Sequence, residues 1–126
     1  MLTLFILKSG QPEADSKRAS ESFGFVVSKV IEVNSLEDVI NAEEVKTPWY
    51  GICYDNEYAD EGLKVSLKLF LTHSDADVLV LYKKHPENAS KSSRLFRKNV
   101  RVRSDCLKPE YAYALKIDAI LNGWII

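Results

Sequence analysis

Apolar and polar residues alternate along the chain in blocks that predict strands separated by helices. Four apolar stretches rich in β-branched or aromatic residues predict strands, and they span residues 2–7, 25–33, 49–54 and 76–82. The first stretch runs into Ser9-Gly10-Gln11-Pro12, a turn signal that is typical of the end of a buried strand.

Three helices are predicted between these strands. Residues 13–22 follow a proline and place acidic residues before basic ones, which favours a short exposed helix. Ser35 and Asp38 have the spacing of a capping box and begin a predicted helix over residues 36–46. A third helix is predicted after residue 57, where four apolar residues share one face: Leu63, Leu67, Phe70 and Leu71.

The last third of the chain is more polar. Residues 83–93 are rich in Lys, Asn and Ser and predict a loop, whereas residues 94–103 alternate in their second part and predict a strand with basic residues on one side. A last helix is expected after Pro109, with Gly123 as its stop, and residues 124–126 would dock by their apolar end. Its apolar positions are Tyr111, Leu115 and Leu121.

The alternation of strands and helices predicts one α/β domain over residues 1–126, with a mainly parallel sheet flanked by helices. Right-handed crossovers place the loops that follow parallel strands at one edge of the sheet, where open α/β sheets bind ligands. Three polar segments are expected at that edge: Ser9-Gly10-Gln11, Asn34 and Asp55-Asn56-Glu57.

Composition narrows the class of protein. The chain has 126 residues, of which 46% are hydrophobic and 28% are charged, as in an ordered globular domain. Its apolar runs are far shorter than a membrane span requires, and its first residues lack the pattern of a secretory signal. Cys53 and Cys106 lie far apart without metal-ligand spacing, which favours free thiols and a cytoplasmic location.

Charge is unevenly distributed, although the net charge is only -1. Residues 1–82 contain 7 Lys and Arg against 14 Asp and Glu, whereas residues 83–126 contain 10 against 4. The basic region 83–103 either binds an anion or a macromolecule, or forms a solvated surface that balances the acidic half. A pI near 6.1 and the few aromatic residues in this region argue against general nucleic-acid binding.

Asp55 and Glu57 are candidate metal ligands, because they follow a predicted strand directly. Hard oxygen ligands at such a position can hold Mn²⁺ or Mg²⁺ while a substrate diphosphate completes the coordination shell. The alternative is an ordinary acidic turn whose carboxylates favour the N-terminus of the following helix. The residues alone leave both interpretations open.

The segment Thr47-Pro-Trp-Tyr-Gly-Ile-Cys-Tyr-Asp-Asn-Glu57 resembles the part of family 2 glycosyltransferases, which have the GT-A fold, where an aromatic-led strand runs into an acidic metal motif. Further along, Arg94-Leu-Phe-Arg-Lys98 is similar to a sequence that commonly opens a later strand in those enzymes. The resemblance implies a compact or truncated member of the family.

The resemblance also implies roles for individual residues. Asp55 and Glu57 would hold the metal, and Arg94 and Arg97 would neutralise the diphosphate of a nucleotide-diphospho-sugar. By location, the donor nucleotide would contact Lys8, Ser9, Gly10 and Asn34. Asp105 and Glu110 are the acids available between the basic strand and the predicted last helix, and each is either the base that deprotonates an acceptor hydroxyl or a surface carboxylate.

Two functions follow as hypotheses. The first is a possible glycosyltransferase that binds a nucleotide-sugar with Mn²⁺ or Mg²⁺ and transfers the sugar to an unknown acceptor. The second is a non-catalytic GT-A-like module that contacts a protein or nucleic acid through the basic region 83–103. The fold alone does not choose between them, and the oligomeric state is open.

Overall fold

The structure, a computed structural model, describes residues 1–40, 45–84, 89–101, 107 and 116–126. The six strands described are β1 (Leu2–Leu7), β2 (Val27–Val33), β3 (Trp49–Tyr54), β4 (Val78–Lys84), β5 (Ala89–Arg97) and β6 (Ile117–Ile125). The helices are α1 (Ser16–Ser22), α2 (Leu36–Ile40) and α3 (Glu61–His73), with a 3₁₀ turn at Gly24–Val26 before β2.

The strands form one mixed sheet in the order β2-β1-β3-β5-β4-β6. Strand β1 is parallel to both β2 and β3, and β4 is parallel to β6. Strand β5 is antiparallel to its neighbours β3 and β4, so the other five strands share one direction. The expected α/β domain with a flanked sheet is confirmed, and the sheet is mixed because of β5.

Helices cover both faces of the sheet. Successive residues of a strand point to opposite faces, so Leu4 and Phe5 enter two different buried clusters. Leu4 packs in a cluster with Ala19 of α1 and Leu67 of α3, whereas Phe5 packs in the other with Val39 of α2. The described residues therefore form three layers. Within them, no helix is both long and apolar enough to cross a membrane.

The first half of the chain follows the sequence pattern closely. Strands β1 and β3 have the predicted bounds. Helix α1 begins three residues later than predicted, where the Asp15 carboxylate accepts a hydrogen bond from the Arg18 N–H. The helix predicted over residues 36–46 is present as α2 up to Ile40, residues 41–44 lie outside the described part, and residues 45–46 are not helical.

The second half corrects three expectations. The predicted loop over residues 83–93 is partly strand, because β4 continues to Lys84 and β5 already begins at Ala89. Ser92 and Ser93 are buried within β5, and Ser92 Oγ both donates to the Leu107 carbonyl and accepts from Arg94 Nε. Hydrogen bonds of this kind let polar residues occupy an interior strand, where composition suggests a loop.

The other two corrections concern the end of the chain. Strand β5 ends at Arg97, and residues 98–100 turn away instead of extending the strand to 103. The predicted last helix is wrong over residues 117–125, which form β6 along β4. Its β-branched isoleucines favour a strand, and pairing with β4 outweighs the helical spacing of Leu115 and Leu121. Residues 108–115 lie outside the described part.

Strand β6 meets the start of α3 through a very close backbone approach. A Cβ atom added at Gly123 would lie 2.0 Å from Leu63 N and 2.3 Å from Leu63 Cα. The Asp60 carboxylate accepts hydrogen bonds from the N–H groups of both Leu63 (2.9 Å) and Trp124 (3.0 Å). Asp60 therefore caps α3 and fastens β6 to it at the same time.

We expect Gly123→Ala to lower the free energy of unfolding by about 3 kcal/mol, because the new methyl group overlaps the backbone of α3 and cannot be relieved by a side-chain rotation. Urea denaturation followed by circular dichroism measures this. Gly10→Ala is the control, since no atom lies within 4 Å of its added Cβ and only its φ of +72° opposes alanine. Equal effects of the two substitutions would contradict the close approach.

Candidate functional site

Polar residues that follow β1, β2 and β3 share one edge of the sheet. These strands are parallel, and Leu7 at the end of β1 is aligned with Val33 of β2 and Tyr54 of β3. The chain then continues into Lys8, Asn34 and Asp55 at what we call the carboxyl edge. The structure thus brings together the predicted donor-binding positions Lys8, Ser9, Gly10 and Asn34 with Asp55.

Asp55 organises this edge through three hydrogen bonds. Its N–H donates to the Leu7 carbonyl (2.9 Å), its carbonyl accepts from the Asp15 N–H (2.7 Å), and its Oδ1 accepts from the Ser9 N–H (2.9 Å). The residue is only 7% exposed. Its second carboxylate oxygen has no hydrogen-bond partner among the described residues. Because no buried polar side-chain atom among them lacks a partner, this oxygen reaches the surface, where it is available to a ligand.

The loop after β1 is open at Gly10, next to Ser9, whose N–H donates to Asp55. The Lys8 N–H donates to the Val33 carbonyl (3.2 Å), and the Ser9 hydroxyl accepts from the Gln11 N–H (3.2 Å). Gly10 between them has a φ of +72° and open space around its missing side chain. A ligand can therefore approach this backbone closely.

Asn34 lies at the end of β2, where its N–H donates to the Asp38 carboxylate (3.0 Å). The same carboxylate oxygen accepts from the Ser35 N–H (3.2 Å). Asp38 thus fixes the corner between β2 and α2, as the spacing of Ser35 and Asp38 predicted. The corner presents Asn34 at the carboxyl edge on a short, hydrogen-bonded turn.

Glu57 is enclosed by cations, although it is only two residues from Asp55. The Tyr54 carbonyl accepts from the Glu57 N–H (3.0 Å), and this turn folds Glu57 back beneath the strand, where it is 0% exposed. Glu57 Oε1 accepts from Arg94 Nη1 (2.6 Å) and from the Tyr54 N–H (2.8 Å). Its Oε2 accepts from Lys83 Nζ (2.5 Å) and Arg94 Nη2 (3.0 Å).

These contacts determine the protonation state of Glu57. Burial alone would raise the pKa of Glu57, but the hydrogen bonds and charges of Arg94 and Lys83, with the Tyr54 N–H, outweigh it and lower the pKa from 4.5 to about 2. Burial, and next the Glu57 charge, raise the pKa of the Cys53 thiol. Glu57 is therefore an anion at neutral pH, and Cys53 is a protonated thiol.

The two arginines of the predicted diphosphate site lie on the same strand, β5, but their side chains are engaged in different places. Arg94 is buried, and besides Glu57 it donates to the Ile52 carbonyl (3.3 Å) and to Ser92. Arg97 is aligned with Trp49 at the start of β3. It therefore lies at the opposite end of that strand from Asp55. There it donates to the carbonyls of Ala76 and Ser74 and lies 4.0 Å over the Trp49 ring.

The structure describes only some of the residues considered for metal binding and catalysis. Asp105 and Glu110 lie outside the described residues. Within the described ranges, no three His, Cys, Asp or Glu side chains are grouped as a metal site. Asp55 has an oxygen available for a cation, whereas both oxygens of Glu57 are already engaged. The residues present therefore fit a divalent ion through one carboxylate, with a ligand's phosphates completing its shell.

Sequence reasoning did not identify the aromatic and basic pair next to this edge. The Arg18 guanidinium on α1 lies 4.5 Å over the Tyr58 ring. Nothing in the spacing of residues 18 and 58 indicates the contact, since it depends on how α1 packs against the loop after β3. The partnership of Glu57 with Lys83 was missed for the same reason.

We expect Glu57→Gln to cost about 3 kcal/mol of stability at pH 7, because it leaves the Arg94 charge buried without its anion. The folded pKa of Glu57 lies below its ordinary value. The stabilisation is thus complete above about pH 4.5 and is lost as the pH falls towards about 2. Urea midpoints measured between pH 7 and pH 2.5 should fall steeply for the unmodified protein and less steeply for the variant.

Asp75→Asn is the matched control. Asp75 also pairs with a lysine, Lys116, but both side chains are exposed, and exposed pairs contribute little. Its urea midpoints should follow those of the unmodified protein. The same acid dependence in Glu57→Gln as in the unmodified protein would show that Glu57 is not the group that titrates.

Comparison of the chain with family models, with curated proteins and with solved structures finds no match. The residues at the carboxyl edge and their contacts are therefore the basis for a function.

Proposed function

We propose that the chain binds a nucleotide-diphospho-sugar with Mn²⁺ or Mg²⁺ at the carboxyl edge, on a GT-A-like fold, and transfers the sugar to an acceptor. One observation carries this proposal. Asp55 lies at the junction of the β1 loop, β3 and α1, with Oδ1 on the Ser9 N–H and its other oxygen available. An acidic residue at the end of a central strand, beside a glycine-containing loop, suits a cation and a phosphate together.

The proposed ligand is supported by the chemistry of the surrounding groups. Lys8 is exposed and has no salt bridge to a described carboxylate. The backbone at Gly10 is open, and Asn34 offers an amide from the neighbouring strand. These groups can contact phosphate and sugar hydroxyls, while a divalent ion bound by Asp55 would offset the negative charge of the diphosphate.

Glu57 has a positioning role in this proposal. It accepts a hydrogen bond from the Tyr54 N–H, one residue before Asp55. Arg94 and Lys83 hold Glu57 inside the protein. The hydrogen bond from the Tyr54 N–H to Glu57 therefore restrains the backbone next to Asp55. The metal would therefore be held by Asp55, and Glu57 would act through the chain.

Transfer to an acceptor needs a group that removes the proton of the attacking hydroxyl. Asp105 and Glu110 remain the proposed bases, and the structure does not describe them.

The alternative, a binding module that uses the basic region 83–103, receives less support from the described residues. Lys83 and Arg94 face Glu57, and Arg97 is engaged with backbone carbonyls. Of the exposed basic residues of this region, Lys84 and Lys91 lie near the carboxyl edge, whereas Lys98 and Arg101 follow the end of β5 at the opposite one. The described basic side chains thus form no single face for a partner.

We expect UDP or GDP to bind in calorimetric titrations that contain Mn²⁺, and binding to be lost with a chelator. Asp55→Asn should weaken binding at least tenfold, because an amide oxygen can still accept from the Ser9 N–H but carries no charge for the cation. Thermal unfolding should show that this variant keeps its fold.

Asp75→Asn at the opposite edge is the charge-matched control and should bind like the unmodified protein. If neither nucleotide binds with Mn²⁺, the transferase proposal fails. Charge reversal at Lys84 and Lys91, assayed against RNA and partner proteins, then becomes the next test.

A further inference from the structure

Binding a diphosphate requires positive side chains near Asp55, and the structure leaves Lys8 at the carboxyl edge but neither of the two arginines predicted for the diphosphate. Arg94 is buried with Glu57. Arg97 lies at the opposite edge of the sheet. We therefore expect a second cation beside Lys8 if the carboxyl edge binds a diphosphate, because the planar, two-point contact predicted for Arg94 and Arg97 is otherwise missing.

Arg18 meets the requirements of such a group. It is an exposed residue of α1, and no described carboxylate forms a salt bridge with it. Its guanidinium lies 4.5 Å from the centre of the Tyr58 ring. A guanidinium held over a ring face still has N–H groups that can donate to a ligand beyond the rim of the ring.

Both members of the pair are tied to Asp55 through the backbone. The Asp15 N–H donates to the Asp55 carbonyl (2.7 Å), and Arg18 lies one helical turn after Asp15, whose carboxylate accepts from the Arg18 N–H. Tyr58 follows Asp55 by three residues, and its backbone exchanges two hydrogen bonds with Ile126. The backbone that carries the Tyr58 ring is therefore held in place beside the guanidinium.

We propose that Arg18, supported by Tyr58, is the residue that binds the diphosphate of the ligand at the carboxyl edge. This inference rests on the proposed function and identifies a specific residue for it. The planar guanidinium can donate two parallel hydrogen bonds to phosphate oxygens, which the ammonium of a lysine cannot do. Restraint by the ring reduces the freedom that the side chain loses on binding.

The test uses calorimetric titration of UDP, GDP and inorganic pyrophosphate in the presence of Mn²⁺. Arg18→Gln should weaken the binding of each probe that binds by about tenfold or more, as expected for the loss of charge-assisted hydrogen bonds. Arg18→Lys should recover only part of the loss. Tyr58→Phe keeps the ring and should bind like the unmodified protein, whereas Tyr58→Leu should weaken binding.

Lys68→Gln is the matched control, because Lys68 is an exposed cation over the Phe25 ring, on α3. It should leave the affinity unchanged, and thermal unfolding should show that every variant is folded. If Asp55→Asn abolishes binding while Arg18→Gln binds like the unmodified protein, the role of Arg18 is overturned and the proposed function stands. If the unmodified protein binds none of the three probes with Mn²⁺, both fail.

Discussion

The ion pair between Glu57 and Arg94 is the interaction on which the centre of the sheet depends. Strand β5 runs against its neighbours between β3 and β4, and Arg94 reaches from it to Glu57, which also receives Lys83 from β4. Removing such charges from water is costly unless every hydrogen bond is replaced. Here both carboxylate oxygens are engaged, and no buried polar side-chain atom of the described residues lacks a partner.

The buried Glu57 carboxylate determines which charged side chains remain available to a ligand. Arg94 and Lys83 neutralise Glu57 and hold it beneath the sheet edge. Asp55, only two residues earlier, instead holds the β1 loop and keeps one oxygen available. The available cations near it then come from the first part of the chain, Lys8 and Arg18, although that part is acidic overall. Net charge along the sequence is thus a poor guide to the charge at this edge.

The sequence predicts the fold best where the signal is local. Strands β1 and β3 are continuous apolar runs, and their bounds follow from composition and the turn residues after them. The part of β5 before Arg94 and the whole of β6 escape prediction, because their stability comes from pairing with β4 and from contacts such as Gly123 against Leu63. The contact between Glu57 and Arg94 joins residues 37 apart, so only the strand order reveals it.

The acidic pair Asp55 and Glu57 is hard to interpret from spacing alone for the same reason. The turn from Tyr54 to Glu57 directs two neighbouring carboxylates to different surroundings. One meets backbone N–H groups at the edge, and the other meets a buried guanidinium and an ammonium. A carboxylate already neutralised by two cations has little attraction left for a third, whereas one bound only by a backbone N–H keeps its charge. Metal binding at this motif is therefore expected to depend on Asp55, with Glu57 setting its position.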